Sequence, residues 1–139
     1  MRIEVSEAAM ETGLAVMLRD LITQNMDQHP HKLTDFRKLN LSIGLEVIDV
    51  DIALTLTFAN NNLTIHSSIL DRPQLHITTD SETVMALSNQ KIKWGLPWYF
   101  DETGREIRTA MKDRRLKVRG MAAHFPSLIR FSRVMSVHP

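Results

Sequence analysis

Six histidines, sixteen carboxylates and no cysteine bound the covalent and metal chemistry open to this chain. Without thiols there are no disulfides, no thiolate nucleophile and no cysteine-ligated zinc. His66 and His76 share an outward phase on two alternating segments, and His29 and His31 flank Pro30. Neither pair has an aspartate or glutamate at a recognisable ligand spacing, so no metal site is expected. A glycine-rich phosphate loop, His-Glu-x-x-His and Gly-x-Ser-x-Gly are all missing. Scattered Ser, His and Asp residues do not make a triad without geometry. The residues therefore read as non-catalytic and without a cofactor.

Two other groupings carry physical meaning. Between residues 105 and 138 lie nine cations (Arg105, Arg108, Lys112, Arg114, Arg115, Lys117, Arg119, Arg130 and Arg133) against Glu106 and Asp113. That stretch holds +7 of charge in a chain whose net is +1, so the remainder is acidic. One basic face could meet anionic lipid, an acidic protein or nucleic acid, or simply be solvated. Nucleic-acid binding would need aromatics interleaved with the cations, and they sit elsewhere. Trp94, Trp98, Tyr99 and Phe100, half of the eight aromatic residues, crowd into seven positions around Gly95-Leu96-Pro97. Trp and Tyr suit boundaries that are wet on one side, so this loop is a candidate lid, portal or partner patch.

These groups need a scaffold. A chain of 139 residues with 43% apolar and 24% charged residues suits one soluble domain, 1–139, with one core. The N-terminus lacks the order of a signal peptide, and no apolar run approaches the roughly 20 residues that span a bilayer. A cytoplasmic protein is the expectation.

A first helix is expected over about 6–28, with Ser6 as N-cap between Val5 and Met10. Its stripe is Met10, Leu14, Met17, Leu18, Leu21 and Met26, and Pro30 stops it. Four segments with a period of two follow, carrying Ile43-Leu45-Val47, Ile52-Leu54-Leu56-Phe58, Leu63-Ile65 and Leu75-Ile77 on one face. They read as an antiparallel sheet with one apolar face, turning tightly at Asn60-Asn61-Asn62. Thr79 with Glu82 is a capping-box spacing for a short helix ending near Asn89. A helix over about 102–112, a strand at Arg115–Arg119 and a last helix over about 125–137 complete the order. Pro126 fits the last helix's first turn. The class is α+β, with helices covering the apolar sheet face.

Leu54-Thr55-Leu56-Thr57-Phe58 and Asn62-Leu63-Thr64-Ile65-His66 resemble central strands of the sterol carrier protein 2 (SCP2) family. The stretch from Pro73 to Leu87 resembles that family's strand-to-helix segment, and Arg115–Gly120 its late strand. The similarity spans about residues 40–137 and suggests a stand-alone, bacterial-type member. It implies a twisted, largely antiparallel five-stranded sheet with helices on one face and an apolar tunnel between them. The implied role is non-catalytic binding or transport of a fatty acyl, sterol-like or isoprenoid lipid. Two features depart from the compact sterol-carrier form: the loop with paired tryptophans and the helical stretch around Arg105–Lys112.

On that reading the candidate lining residues are Leu54, Leu56, Phe58, Ile77, Val84, Leu87, Trp94, Trp98, Met111, Leu128, Phe131 and Met135. Each would equally serve an ordinary packed core. Arg115, Lys117 and Arg119 would share the outer sheet face with Thr55, Thr57, Thr64, His66, His76 and Thr78, a basic band suited to peripheral contact with an anionic membrane. The alternative is an accessory protein with a closed core that binds a partner, or itself as a homodimer, through the N-terminal helix and the Trp loop.

Overall fold

The chain opens with alternation rather than with a helix. Ile3 and Val5 point inward from Arg2 and Glu4, forming strand β1 (Arg2–Val5) in the computed structural model, which describes residues 1–139. The Ser6 Oγ accepts from the Ala9 amide at 3.3 Å, but Ser6 is not the N-cap: a short 3-10 turn, Ala9–Glu11, follows with Ala8 in that position. Extended backbone at Thr12 breaks the helical run. Helix α1 then spans Gly13–Gln28. The expected single helix from 6 is therefore two pieces. The buried face of α1 is Ala15, Leu18, Ile22 and Met26, while Met10 and Met17 remain exposed. Pro30 ends α1 as expected, and it begins a 3-10 turn that leads into α2 (Leu33–Lys38).

Strands β2 (Leu41–Val47), β3 (Ile52–Ala59), β4 (Asn62–His66) and β5 (Leu75–Thr79) follow the period-two pattern. Asn60 and Asn61 both take positive φ, giving the two-residue turn whose twist suits a hairpin. Helix α3 (Ser81–Ser88) is capped one residue later than the capping-box spacing suggests. Asp80, not Thr79, accepts from the Thr83 amide, at 2.8 Å.

The aromatic loop contains its own small hairpin, β6 (Ile92–Lys93) with β7 (Leu96–Pro97). Helix α4 (Glu102–Lys112), strand β8 (Lys117–Arg119) and helix α5 (Phe125–Met135) complete the chain.

The main sheet has six strands in the order β1-β4-β3-β2-β5-β8. Five were expected, and β1 is the addition. Three pairings are antiparallel (β2–β3, β3–β4, β5–β8), and two are parallel (β1–β4, β2–β5). The register aligns inward side chains into rows across the strands. One row runs Leu54, Leu45, Ile77 and Val118, another Ile65, Leu56, Ile43 and Leu75. The helices and the core of 26 buried apolar residues lie against these rows.

The opposite face is not an open basic band. The connection after β4 folds over it, with the Thr55 hydroxyl bonded to the Ser68 carbonyl and the Leu70 amide. His76 sits between Glu46 (3.0 Å) and Arg119 (3.1 Å). Arg115 leaves the band altogether, lying 3.6 Å from Asp80 at the start of α3 and 3.7 Å from Asp113. Hydrogen bonds from Thr83, together with this Arg115 guanidinium, hold the Asp80 carboxyl below the usual carboxylate range. His66 and His76 are three strands apart, about 14 Å at ordinary strand spacing. No group of three or more His, Asp or Glu residues is arranged to hold a metal ion.

Candidate functional site

Between the sheet and α3, α4 and α5 the side chains fail to meet, leaving a cavity of about 330 Å³. Its floor is the sheet: Leu45, Leu56, Ile77 and Val118, with Leu116 just before β8. Leu18 of α1 closes one side, Val84 and Leu87 of α3 and Ile107 and Met111 of α4 another. Helix α5 supplies a ladder at helical spacing, Phe125, Leu128, Ile129, Ser132 and Met135, with Phe131 beside it. The volume falls within the roughly 300–1,000 Å³ of small-molecule sites, near the lower end.

No charged residue lines this cavity. Three side chains with hydrogen-bonding groups do: Gln90, Ser132 and Tyr99, the last through its hydroxyl. Gln90, buried between α3 and the hairpin, donates its amide N–H to the Trp98 carbonyl at 3.3 Å. Ser132 donates to the Leu128 carbonyl at 2.9 Å. The Gln90 side-chain oxygen and the Tyr99 hydroxyl make no hydrogen bond within the protein, so both are free to bond a guest.

The β6–β7 hairpin forms a flap over one end. Trp94 (φ +54°) and Gly95 (φ +76°) make its turn. Leu96, Pro97 and Tyr99 face the cavity. Trp94 and Trp98 do not, and instead pack edge-on against one another at 5.7 Å, with Phe100 5.2 Å from Trp98. The flap is tethered from outside. Arg133 of α5 donates to the Gly95 carbonyl at 2.9 Å, and its other terminal nitrogen bonds Asp35 of α2 at 2.7 Å. Gly104 lets the start of α4 lie directly on the flap's exit, where any Cβ would collide with the Trp98 and Tyr99 backbone. Beside the flap, Leu96, Met111 and Phe125 line the cavity and are also exposed, so this end is its mouth.

Eight of the residues expected from sequence come together in this wall: Leu56, Ile77, Val84, Leu87, Met111, Leu128, Phe131 and Met135. Leu54 and Phe58 do not reach it. Both are buried on the same sheet face, and Phe58 is enclosed edge-on by Phe36 at 5.6 Å and Phe131 at 6.0 Å. Trp94 and Trp98 lie on the outer side of the flap. Sequence reasoning did not assign the other thirteen of the 21 lining residues to the site: sheet and helix residues such as Leu18, Leu45, Ile107, Val118 and Phe125, the polar Gln90, and the inward face of the hairpin. The five-residue spacing from Lys91 to Leu96 around Trp94-Gly95 was the available signal, since a residue tolerant of positive φ there marks a hairpin turn.

The α+β architecture is the sterol-carrier (SCP2-like) fold, here with six strands in the sheet rather than five. The structure superposes on one described as "UbiJ-SCP2 Ubiquinone synthesis protein" with a TM-score of 0.59 and 13% identity, covering 87% of this chain and 90% of that one. It superposes on a crystal structure of sterol carrier protein 2 with a TM-score of 0.51 and 12% identity, covering 84% and 88%. The likeness is one of fold. No protein-family model matches the sequence, and no curated protein matches it. No helix is long and apolar enough to cross a membrane.

Proposed function

We propose that this protein is a non-catalytic carrier that holds a lipid-like molecule in the cavity between its sheet and helices. The observation that carries the reading is the wall itself: 21 residues, almost all apolar and none charged, around about 330 Å³ that is partly open to solvent. Apolar burial contributes about 25 cal/mol per Å², so an acyl chain, sterol-like ring system or isoprenoid gains affinity simply by entering. An ionised group would be stranded there, because burying an unpaired charge is far costlier. The guest, or the part of it inside, is therefore neutral, with at most one or two hydrogen-bonding groups near Gln90 and Tyr99. Entry and release run through the open end beside the flap, where Leu96, Met111 and Phe125 are exposed. The SCP2-like fold, found in proteins described as a sterol carrier and a ubiquinone synthesis protein, supports lipid binding in general terms. A cytoplasmic location is part of the same proposal.

An open cavity argues against the closed-core alternative. Helix α1, which that alternative places on a partner surface, already commits Ala15, Leu18, Ile22 and Met26 to the core.

The test is solvent extraction of the purified protein followed by mass spectrometry, with a panel of neutral and acidic lipid probes. A co-purifying lipid, or saturable binding that favours neutral probes, is expected. Leu87→Phe with Leu128→Phe fills the cavity and should abolish that binding while the fold survives. No extracted lipid together with no probe binding would sink the proposal.

A further inference from the structure

The flap has an outer face that the cavity does not use. Trp94 is 88% exposed and Phe100 73%, and Leu96 (53%) and Phe125 (51%) continue the apolar surface to the mouth. Trp94 is also held at positive φ, an uncommon conformation for a bulky residue, and its ring is nonetheless displayed to solvent. Trp94, Trp98 and Phe100 are in ring contact, and exposed aromatic side chains grouped in this way mark a docking site. Its charge identifies the partner. Lys93 Nζ lies 4.6 Å from the centre of the Trp98 ring, and the Arg108 guanidinium 5.8 Å from that of Phe100. Neither cation forms a salt bridge. The nearby acids turn elsewhere: Asp101 caps α4 through the Gly104 amide, and Glu102 and Glu106 line a separate cleft between α3 and α4.

Resting on the carrier reading, we propose that this aromatic and basic face docks the cavity mouth onto an anionic phospholipid bilayer. Trp rings settle at the headgroup level, where one side is apolar and the other wet. The unpaired Lys93 and Arg108 face the negative surface, each contributing about 1 kcal/mol. Leu96 and Phe125 join the docked surface to the cavity wall, so a lipid passes between membrane and cavity without crossing water. The docking face is thus the flap, not the outer sheet face bearing Lys117 and Arg119.

The test is sedimentation with vesicles of phosphatidylcholine alone and of phosphatidylcholine with phosphatidylglycerol. Tryptophan emission is followed in parallel, with brominated lipid as quencher. Binding to the anionic vesicles, a blue shift and quenching are expected. Lys93→Gln with Arg108→Gln should weaken partitioning about thirty-fold, from two cations at about 1 kcal/mol each. Trp94→Ser with Phe100→Ser should abolish it, and Lys117→Gln with Arg119→Gln should leave most of it. None of these side chains lines the cavity, so binding of a soluble neutral probe without vesicles should persist in all three variants. Absence of vesicle binding, or its loss in the Lys117/Arg119 variant instead of the flap variants, overturns the docking proposal. So does a flap that supports only self-association, seen by light scattering. Probe binding without vesicle binding leaves the carrier reading standing and sinks docking, whereas vesicle binding without probe binding does the reverse.

Discussion

Phe58 and Ile77 lie on the same inward face of one sheet, yet their surroundings differ. Around Phe58, Phe36 from α2 and Phe131 from α5 close in edge-on, and the space is filled. Around Ile77, the cover is α3, α4, α5 and the hairpin, whose inward side chains are mostly Leu, Ile and Met. They surround the space without filling it. The strands present the same alternation in both places. What separates core from cavity is the covering layer: Phe36 and Phe131 close edge-on over Phe58 at one end, and mostly Leu, Ile and Met side chains stand apart at the other.

That contrast can be broken most forcefully at the packed end. Phe58→Ala should cost about 3–5 kcal/mol, read as a fall in urea or guanidinium midpoint. Leu87→Ala, in the cavity wall, should cost about 2 kcal/mol or less, since its side chain already lacks neighbours on one side. Equal losses would mean that the two ends are packed alike.

A buried ammonium sharpens the same comparison. Lys32 lies next to α2 and donates to the Ser136 carbonyl at 2.6 Å and to the His138 carbonyl, pinning the chain's last residues. Burial lowers its pKa from 10.5 to about 8, against the opposing pull of Asp35. Between those two values the unfolded chain binds a proton that the folded chain has released, so stability rises with pH across that window. Below it, the buried charge is a standing penalty. Lys32→Met should remove this rise, seen by comparing the two proteins' denaturant midpoints near neutral pH and in mild alkali. An identical rise in both would exclude Lys32 as its source.

The smallest effect belongs to the cap of α3. Asp80→Ala should cost about 1 kcal/mol in chemical denaturation. The Asp80 carboxyl is held below its ordinary value of 3.8, so its contribution is complete above that pH and fades as acid protonates it. The difference between the parent and Asp80→Ala should therefore shrink in strong acid.

Most of the scaffold was legible because local periodicity determines it. The alternation of Ile43-Leu45-Val47 and Leu54-Leu56-Phe58, and the Asn60-Asn61 turn, need nothing from distant residues. Strand β1 was not legible. Arg2–Val5 is four residues long and pairs in parallel with β4, some sixty residues away, so nothing nearby marks it. The parallel β2–β5 pairing was hidden for the same reason. The break at Thr12 turns on one residue's backbone, which the continuing Leu14-Leu18 spacing masks. For the site, phase identified which side chains face inward but not where along the sheet the covering helices stand apart. Leu56 and Phe58 have identical phase, and only one reaches the cavity. The tryptophans were misplaced because the loop folds as a hairpin with Trp94 in its turn, and the inward side fell to Leu96, Pro97 and Tyr99 while Trp98 packs on Trp94 and Phe100.

The most direct measurement of the central claim is energy transfer from tryptophan to a fluorescent neutral lipid, titrated into the parent protein and into Leu87→Phe/Leu128→Phe. Trp98, joined to the cavity wall through Pro97 and Tyr99, is the donor at the mouth. Saturable transfer in the parent and its loss in the filled variant are expected. Equal transfer in both proteins, or none in the parent, would contradict lipid binding in this cavity.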